Sequence, residues 1–192
     1  MSKEMFQQEI ECLGICSTSL EMDIMKIRLA EKYDCLDLWK WRNDIKTILN
    51  TPSQSPVTFF EHLKWFNKAF KGSTSIIFIG YDQKEKMKFG MIRFDMRRKN
   101  LTEVSINLCP RFRGKRLSEN FLNRTINAIS GFIPECTLSA KVMIGNSVSK
   151  KLFKKCGFTQ INKINMSDFN ICGEQFQAIY NQPGQNLISL PI

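Results

Sequence analysis

Glu103-Val-Ser-Ile-Asn-Leu-Cys-Pro110, running straight into Arg111-Phe-Arg-Gly-Lys-Arg-Leu-Ser118, sets the architecture of this 192-residue chain. Val104, Ile106 and Leu108 alternate with Glu103, Ser105 and Asn107, the period of a strand with one apolar face. Pro110 lacks the donor that a ladder needs, so the strand ends there. From Ser118 the period changes, and Phe121, Leu122, Thr125, Ile126 and Ile129 recur at helical spacing. A strand therefore feeds a turn, and the turn opens a helix. The turn carries Arg111, Arg113, Lys115 and Arg116 around Gly114. The first amides of a helix lack internal partners and sit at the positive end of its dipole. Gly114 lets a bulky anion approach the backbone. These features predict a phosphate site over residues 113–118. The competing reading is a basic, solvated turn that only starts a helix.

Upstream, Lys26–Ala30 alternates as a first strand, and Leu36 to Arg42 reads as a short helix ending near Asn43-Asp44. Asn50 to Pro56 is a polar, Pro-bearing loop. Thr58 and Glu61 form a capping box for a helix through His62, Trp65, Phe66 and Phe70, stopping at Lys71-Gly72. Ser75–Tyr81 and Lys86–Asp95 are strands, and Gly90 predicts a bulge or a close neighbour. Short connections make these two and the strand at Glu103 an antiparallel meander. Downstream, Thr137–Met143 is a strand, parallel to its neighbour because a helix intervenes. Asn146 caps a further helix that ends at Cys156-Gly157-Phe158. Thr159–Ile164 and Phe176–Tyr180 are the last strands, with Asn170–Gly173 in the turn region between them. Residues 1–24 read as a poorly ordered extension, 25–182 as one domain and 183–192 as a tail.

Composition fits a soluble globular protein, with 43% hydrophobic and 24% charged residues. The net charge of +10 favours an anionic partner, either nucleic acid, a phosphorylated small molecule or an acidic surface. The alternative is lysine kept for solubility alone. Seven cysteines with a single histidine give no zinc-ligand spacing, so no metal is expected, and the thiols read as reduced, mostly buried residues of a cytoplasmic protein. No run reaches transmembrane length, and the N-terminus has no signal-peptide pattern.

The order of these elements resembles the GNAT superfamily of acyl-CoA-dependent N-acetyltransferases. Arg111-Phe-Arg-Gly114-Lys-Arg116 is similar to the family's phosphate motif, Gln/Arg-x-x-Gly-x-Gly/Ala, departing at Arg116. Asn146, Ser149, Leu152-Phe153 and Gly157-Phe158 are similar to its second signature, with Phe153 where the family has a Tyr. The resemblance implies an α+β fold: a mixed, mostly antiparallel seven-stranded sheet, splayed between its fourth and fifth strands, with helices on both faces. It implies acetyl-CoA as cosubstrate and no metal. The diphosphate would rest on the amides from Arg113 through Gly114, Lys115, Arg116 and Leu117 to Ser118, and Arg116 could meet the ribose phosphate. The thioester carbonyl would lie near Leu108 and Cys109, polarised by a backbone amide. Arg111, Asn146 and Phe153 complete the implied coenzyme set.

Trp39-Lys-Trp-Arg42-Asn-Asp44, His62-Leu-Lys-Trp65-Phe and Arg93-Phe-Asp95 narrow the resemblance. They are similar to the branch that acetylates a nucleotide-linked amino sugar, of the pseudaminic acid pathway type. That branch implies a small amine as acceptor, held by Arg42, Asn43, Asp44, His62, Trp65 and Arg93. A salt bridge between Arg42 and Asp44 is the plainer reading of that helix end. Glu103 is the first candidate base and Asp95 the second; a carboxylate paired with Arg93 or Arg97 is the alternative for either. Phe153 cannot donate a proton, so either Ser149, Ser105 or water would replace the Tyr or the thiolate would leave unassisted. Nucleic acid is a disfavoured partner, no membrane contact is expected, and a homodimer stays open. Two other classes compete: a protein or peptide N-acetyltransferase, and a binding protein that kept the fold without its chemistry. The last would show no thioester turnover and a steep salt dependence.

Overall fold

A computed structural model of the chain describes residues 25–98, 100–130, 136–166 and 171–180. The expected extension over 1–24 and the tail from 183 lie outside the described residues. The strands are β1 (Met25–Leu29), β2 (Ser75–Asp82), β3 (Met87–Arg98), β4 (Leu101–Leu108), β5 (Cys136–Met143), β6 (Thr159–Met166) and β7 (Ile171–Tyr180). The helices are α1 (Cys35–Arg42), α2 (Ile45–Leu49), α3 (Phe59–Lys71), α4 (Leu117–Ser130) and α5 (Ser147–Lys155).

One seven-stranded sheet runs β1-β2-β3-β4-β5-β7-β6, antiparallel except for the β4–β5 pair. Alternation along the strands divides its faces. Phe78, Ile92, Phe94 and Val104 point into a core built with Phe121, Leu122 and Ile126 of α4. Ile77 and Ile79 point the other way, against Leu38 and Trp41 of α1 and Phe66 of α3. Helices thus cover both faces, as the resemblance implied.

β4 and β5 part company early. Leu101, Thr102 and Glu103 pair with Thr137, Leu138 and Ser139, and the pairing stops there. Val104–Leu108 and Ala140–Met143 diverge, each still bonded to its neighbour on the far side. The backbone edges that face each other across the gap therefore have no ladder partner, a costly state unless something else fills it. Gly90 lies under this region, where an added Cβ would meet Leu108 Cδ2 at 2.6 Å.

Helix α2 occupies Ile45–Leu49, a stretch to which no element was assigned from the sequence. One expectation is corrected. Residues 171–173 are not turn: they open β7, because Gly173 pairs with Met143 on one side and Ile164 on the other. The capping box at α3 is as read, with the Thr58 hydroxyl accepting from the Glu61 amide and the Glu61 carboxylate accepting from the Thr58 amide. Among the described residues no helix is long and apolar enough to cross a membrane, and no group of His, Cys, Asp and Glu is arranged to hold a metal ion.

Candidate active site

After β4, Pro110–Phe112 makes one tight turn whose Phe112 is fully buried, its ring 6.1 Å from that of Phe89. This anchor fixes the loop that follows. Gly114 (φ +79°) and Arg116 (φ +59°) both take left-handed backbone. For Gly114 that conformation is free; for Arg116 it carries strain. Among the described residues, none accepts a hydrogen bond from the amides of Gly114 or Arg116, while Lys115 closes a turn over 112–115. A Cβ on Gly114 would find no protein atom within 4 Å, so the space above the turn is open. Leu117 and Ser118 then begin α4 with the unpaired amides of a first turn.

The four turn cations are not equally available. Lys115 reaches Glu85 at 2.6 Å and Arg111 reaches the same carboxylate at 3.3 Å. Arg113 binds Asp44 at 2.5 Å and the Thr47 hydroxyl at 2.9 Å. Arg116 is exposed and pairs with no carboxylate among the described residues. The amide of Cys109 donates to the Phe89 carbonyl at 2.8 Å, so the polarising amide expected near Leu108 is not that of Cys109.

Beside the turn, the parted strands enclose a cleft of about 190 Å³. Glu103, Ser149, Asn146 and Phe153 all line it. Asn146 caps α5 by accepting from the Ser149 amide at 3.1 Å. Phe153 is buried against Phe158 and Phe176, so the wall there is apolar and holds no proton. Glu103 sits at the closed end of the cleft, paired with Arg97 at 3.3 Å and Lys141 at 3.2 Å. Asp95, opposite Glu103 on β3, is buried and does not line the cleft. Its carboxylate holds the Ser75 hydroxyl at 2.7 Å, Arg93 at 2.8 Å and Arg97 at 3.3 Å. The second candidate base is thus enclosed by the cations of its plainer reading.

A second cavity, of about 270 Å³, lies between α1, α3 and the sheet. It gathers Arg42, His62, Trp65 and Arg93, four of the six residues expected to hold the acceptor. Its floor is Met91, Arg93 and Asn107; Asn107 follows the cleft-lining part of β4 in the chain, and the two spaces share no lining residue. Arg93 stacks on the Trp65 ring at 5.1 Å. Among the described residues, Arg42 bonds only neutral partners, the Ser53 hydroxyl at 3.1 Å and the Ser55 carbonyl at 3.4 Å. No carboxylate lines this cavity among the described residues.

The other two residues are committed elsewhere. Asn43 clamps Val57 in both directions, donating to its carbonyl at 2.8 Å and accepting from its amide at 2.7 Å. Asp44 caps α2 through the Lys46 and Thr47 amides and binds Arg113, not Arg42. Burial raises its carboxyl, but the Arg113 guanidinium and those amides outweigh this and hold it below the usual carboxylate range. Thr47, not foreseen, joins Arg113 to Asn107, which it meets at 3.2 Å. The only signal for α2 was Asp44 standing as an N-cap before Ile45.

His62 is 4% exposed, with its ring 5.0 Å from that of Trp65. Burial pushes its pKa below the ordinary value, and nearby Arg42 adds to this against a hydrogen bond to the Cys35 backbone. Its Nε2 has no hydrogen-bond partner.

No family model matches the chain, and no curated protein matches it in sequence. Solved structures do match. Spermidine N-acetyltransferase from Vibrio cholerae, in complex with CoA and spermine, superposes with a TM-score of 0.71 at 16% identity, over 82% of this chain and 96% of that one. A point mutant of the Vibrio cholerae enzyme gives 0.67 at 16% identity, over 82% and 94%. A chimeric form of it gives 0.68 at 16% identity, over 80% and 93%. At such identity the likeness is one of fold: the chain has the GNAT fold.

Proposed function

We propose that the protein is an acetyl-CoA-dependent N-acetyltransferase whose acceptor is a small primary amine that also carries an anionic group. Nucleotide-linked amino sugars belong to that class. The observation that carries this reading is the parting of β4 from β5 after Glu103, followed by a turn in which the Gly114 and Arg116 amides have no acceptor among the described residues. Bound acetyl-CoA would supply an activated acyl group and a sulfur leaving group. The Gly114 and Arg116 amides, with the first turn of α4, suit its diphosphate. The unpaired edge of Val104–Leu108 suits the amide groups of its pantetheine arm. Arg116 is the cation left for a further phosphate. Glu103 is held at the closed end of the cleft by Arg97 and Lys141. Ser149 and Ser105 are the hydroxyls on the cleft walls that can protonate the departing sulfur.

The charge of the second cavity selects the acceptor. Two guanidiniums line it, and only Arg93 has a carboxylate behind it. A second ammonium at roughly 5 Å from an unpaired guanidinium would cost about 3 kcal/mol at an effective dielectric of about 20. That disfavours a polyamine and favours an amine with a phosphate or carboxylate of its own.

The test is thiol release from acetyl-CoA by the full chain across spermidine, free amino sugars, amino-sugar phosphates, nucleotide-linked amino sugars and peptides. The expected result is turnover, with KM at least tenfold lower for phosphorylated amino sugars than for the free ones. Thiol release no faster with any of these amines than without one contradicts the activity. Preference for spermidine contradicts the acceptor class while leaving the activity intact.

A further inference from the structure

We propose that Asn107 is a specificity-determining residue, whose Nδ2 donates to an anionic oxygen of the acceptor and whose orientation is fixed from the coenzyme turn. This rests on the acceptor reading given above and names the group that meets the acceptor's anion. A guanidinium only donates. Arg113 spends Nη1 on Asp44 and Nη2 on the Thr47 hydroxyl, the latter at 2.9 Å. That hydroxyl has one hydrogen, and it goes to Asn107 Oδ1 at 3.2 Å. The chain of bonds thus has a direction, from the turn across α2 to the floor of the cavity. The opposite amide orientation would aim two donors at one hydroxyl and leave its hydrogen without an acceptor, so the network decides which arm of Asn107 is oxygen. Nδ2 is then the free arm. Among the described residues nothing accepts from it, and it is not one of the water-excluded side-chain atoms that lack a partner. Asn107 lines the cavity between α1, α3 and the sheet, and Nδ2 is the polar side-chain atom it has left to offer there.

Of the polar side chains on the cavity wall, Arg42 and Arg93 only donate, His62 Nε2 is closed to water, and Asn107 Oδ1 is spent on Thr47. What remains for a ligand is a set of donors, which suits a phosphate or carboxylate oxygen and not an ammonium. The guanidiniums end long side chains. Nδ2 ends a short one, pinned by the sheet on one side and by Thr47 on the other, so it sets where the anion stops. Asn107 stands two residues past Ser105 on the same face of β4, about 7 Å along the strand. Ser105 lines the cleft and is the register partner of Arg93. The cleft and the cavity are separate spaces, and the acceptor itself must cover that strand repeat between its anion and its amine. Asn107 therefore sorts acceptors by spacing as well as by charge: an amine directly beside its anion does not reach the cleft.

The test uses the full chain saturated with CoA, so that the turn is already filled. The probe is glucosamine-6-phosphate, with glucosamine as its counterpart lacking the phosphate. The Asn107 side-chain NH2 pair in a 1H–15N spectrum, assigned by its loss in Asn107→Asp, should shift saturably with the phosphorylated probe and stay in place with glucosamine. Asn107→Asp keeps an oxygen for the Thr47 hydrogen and puts another in place of Nδ2. With acetyl-CoA it should raise KM for glucosamine-6-phosphate by roughly thirtyfold or more, leave acetyl-CoA affinity within about twofold, and move preference toward spermidine. Lost packing alone does not invert a preference. Thr47→Val keeps the shape and cuts the link, and the same KM should rise about fivefold with little change in kcat. A probe that binds without moving the NH2 pair overturns the proposal. So does absence of binding at millimolar probe, or an Asn107→Asp enzyme with the wild-type KM and preference. If amines are acetylated while the NH2 pair stays unmoved, only the donor is lost and the enzymatic reading stands. If no amine is acetylated, the enzymatic reading falls, and the titration alone decides the donor.

Discussion

Asp34 shows how a single side chain can hold one edge of the sheet. It is fully buried, yet it accepts from Arg28 at 2.7 and 2.8 Å, pairs with Lys88 at 2.8 Å and accepts from the Glu31 amide at 2.7 Å. Burial raises its carboxyl, but the Arg28 and Lys88 bonds outweigh this and hold it below the ordinary range. A depressed carboxyl stabilises the fold fully above its unfolded pKa of about 3.9, and that stability is lost as pH falls through this value toward the folded one. Asp34→Asn leaves two cations without their shared anion, and a loss of about 3 kcal/mol in urea unfolding at pH 7 is expected, shrinking below pH 4. Gly114 is the opposite case. The Cβ of a valine there meets no protein atom within 4 Å, but the residue inherits φ +79° and projects into the open space above the turn. Gly114→Val should therefore weaken acetyl-CoA binding at least tenfold by calorimetry while the circular dichroism of the fold is kept.

Among the elements, α2 and the loop after it join the two halves of the site. Asn43 fixes Val57 in the cavity wall, while Arg113 fixes α2 through Asp44 and Thr47. Asn43→Ala removes the loop's clamp without touching the turn, so the acceptor KM should rise about fivefold or more and the acetyl-CoA Kd should stay unchanged. The regular elements were legible because each buries one face, which leaves a period of two or of 3.6 in the chain. The capping box at Thr58 and the left-handed Gly157 (φ +81°) were legible because they are local. Helix α2 was not: it has five residues, of which only Ile48 is buried, so no period can form. The Arg113–Asp44 pair joins residues 69 apart and depends on the fold. For the same reason, Arg42 could not be separated from Asp44 in the sequence. Arg42, His62, Trp65 and Arg93 do line one cavity. What no pattern could carry was the orphaned Nε2, since partners are a property of packing.

For the molecule as a whole, the excess of ten positive charges draws polyanions in general and says little about where they stop. Two carboxylates, Glu85 and Asp44, neutralise much of the turn's own charge. Binding there must come from amide geometry more than from lysine and arginine. That places the central claim on the backbone: the gap between β4 and β5 and the turn after it form one coenzyme groove. The most direct measurement is an amide 1H–15N shift map of the full chain titrated with acetyl-CoA. Saturable shifts are expected, concentrated at Gly114–Ser118, Val104–Leu108 and Ala140–Met143, with α3 and β1 little changed. Saturation with those segments unmoved, or no shift at millimolar coenzyme, would contradict it.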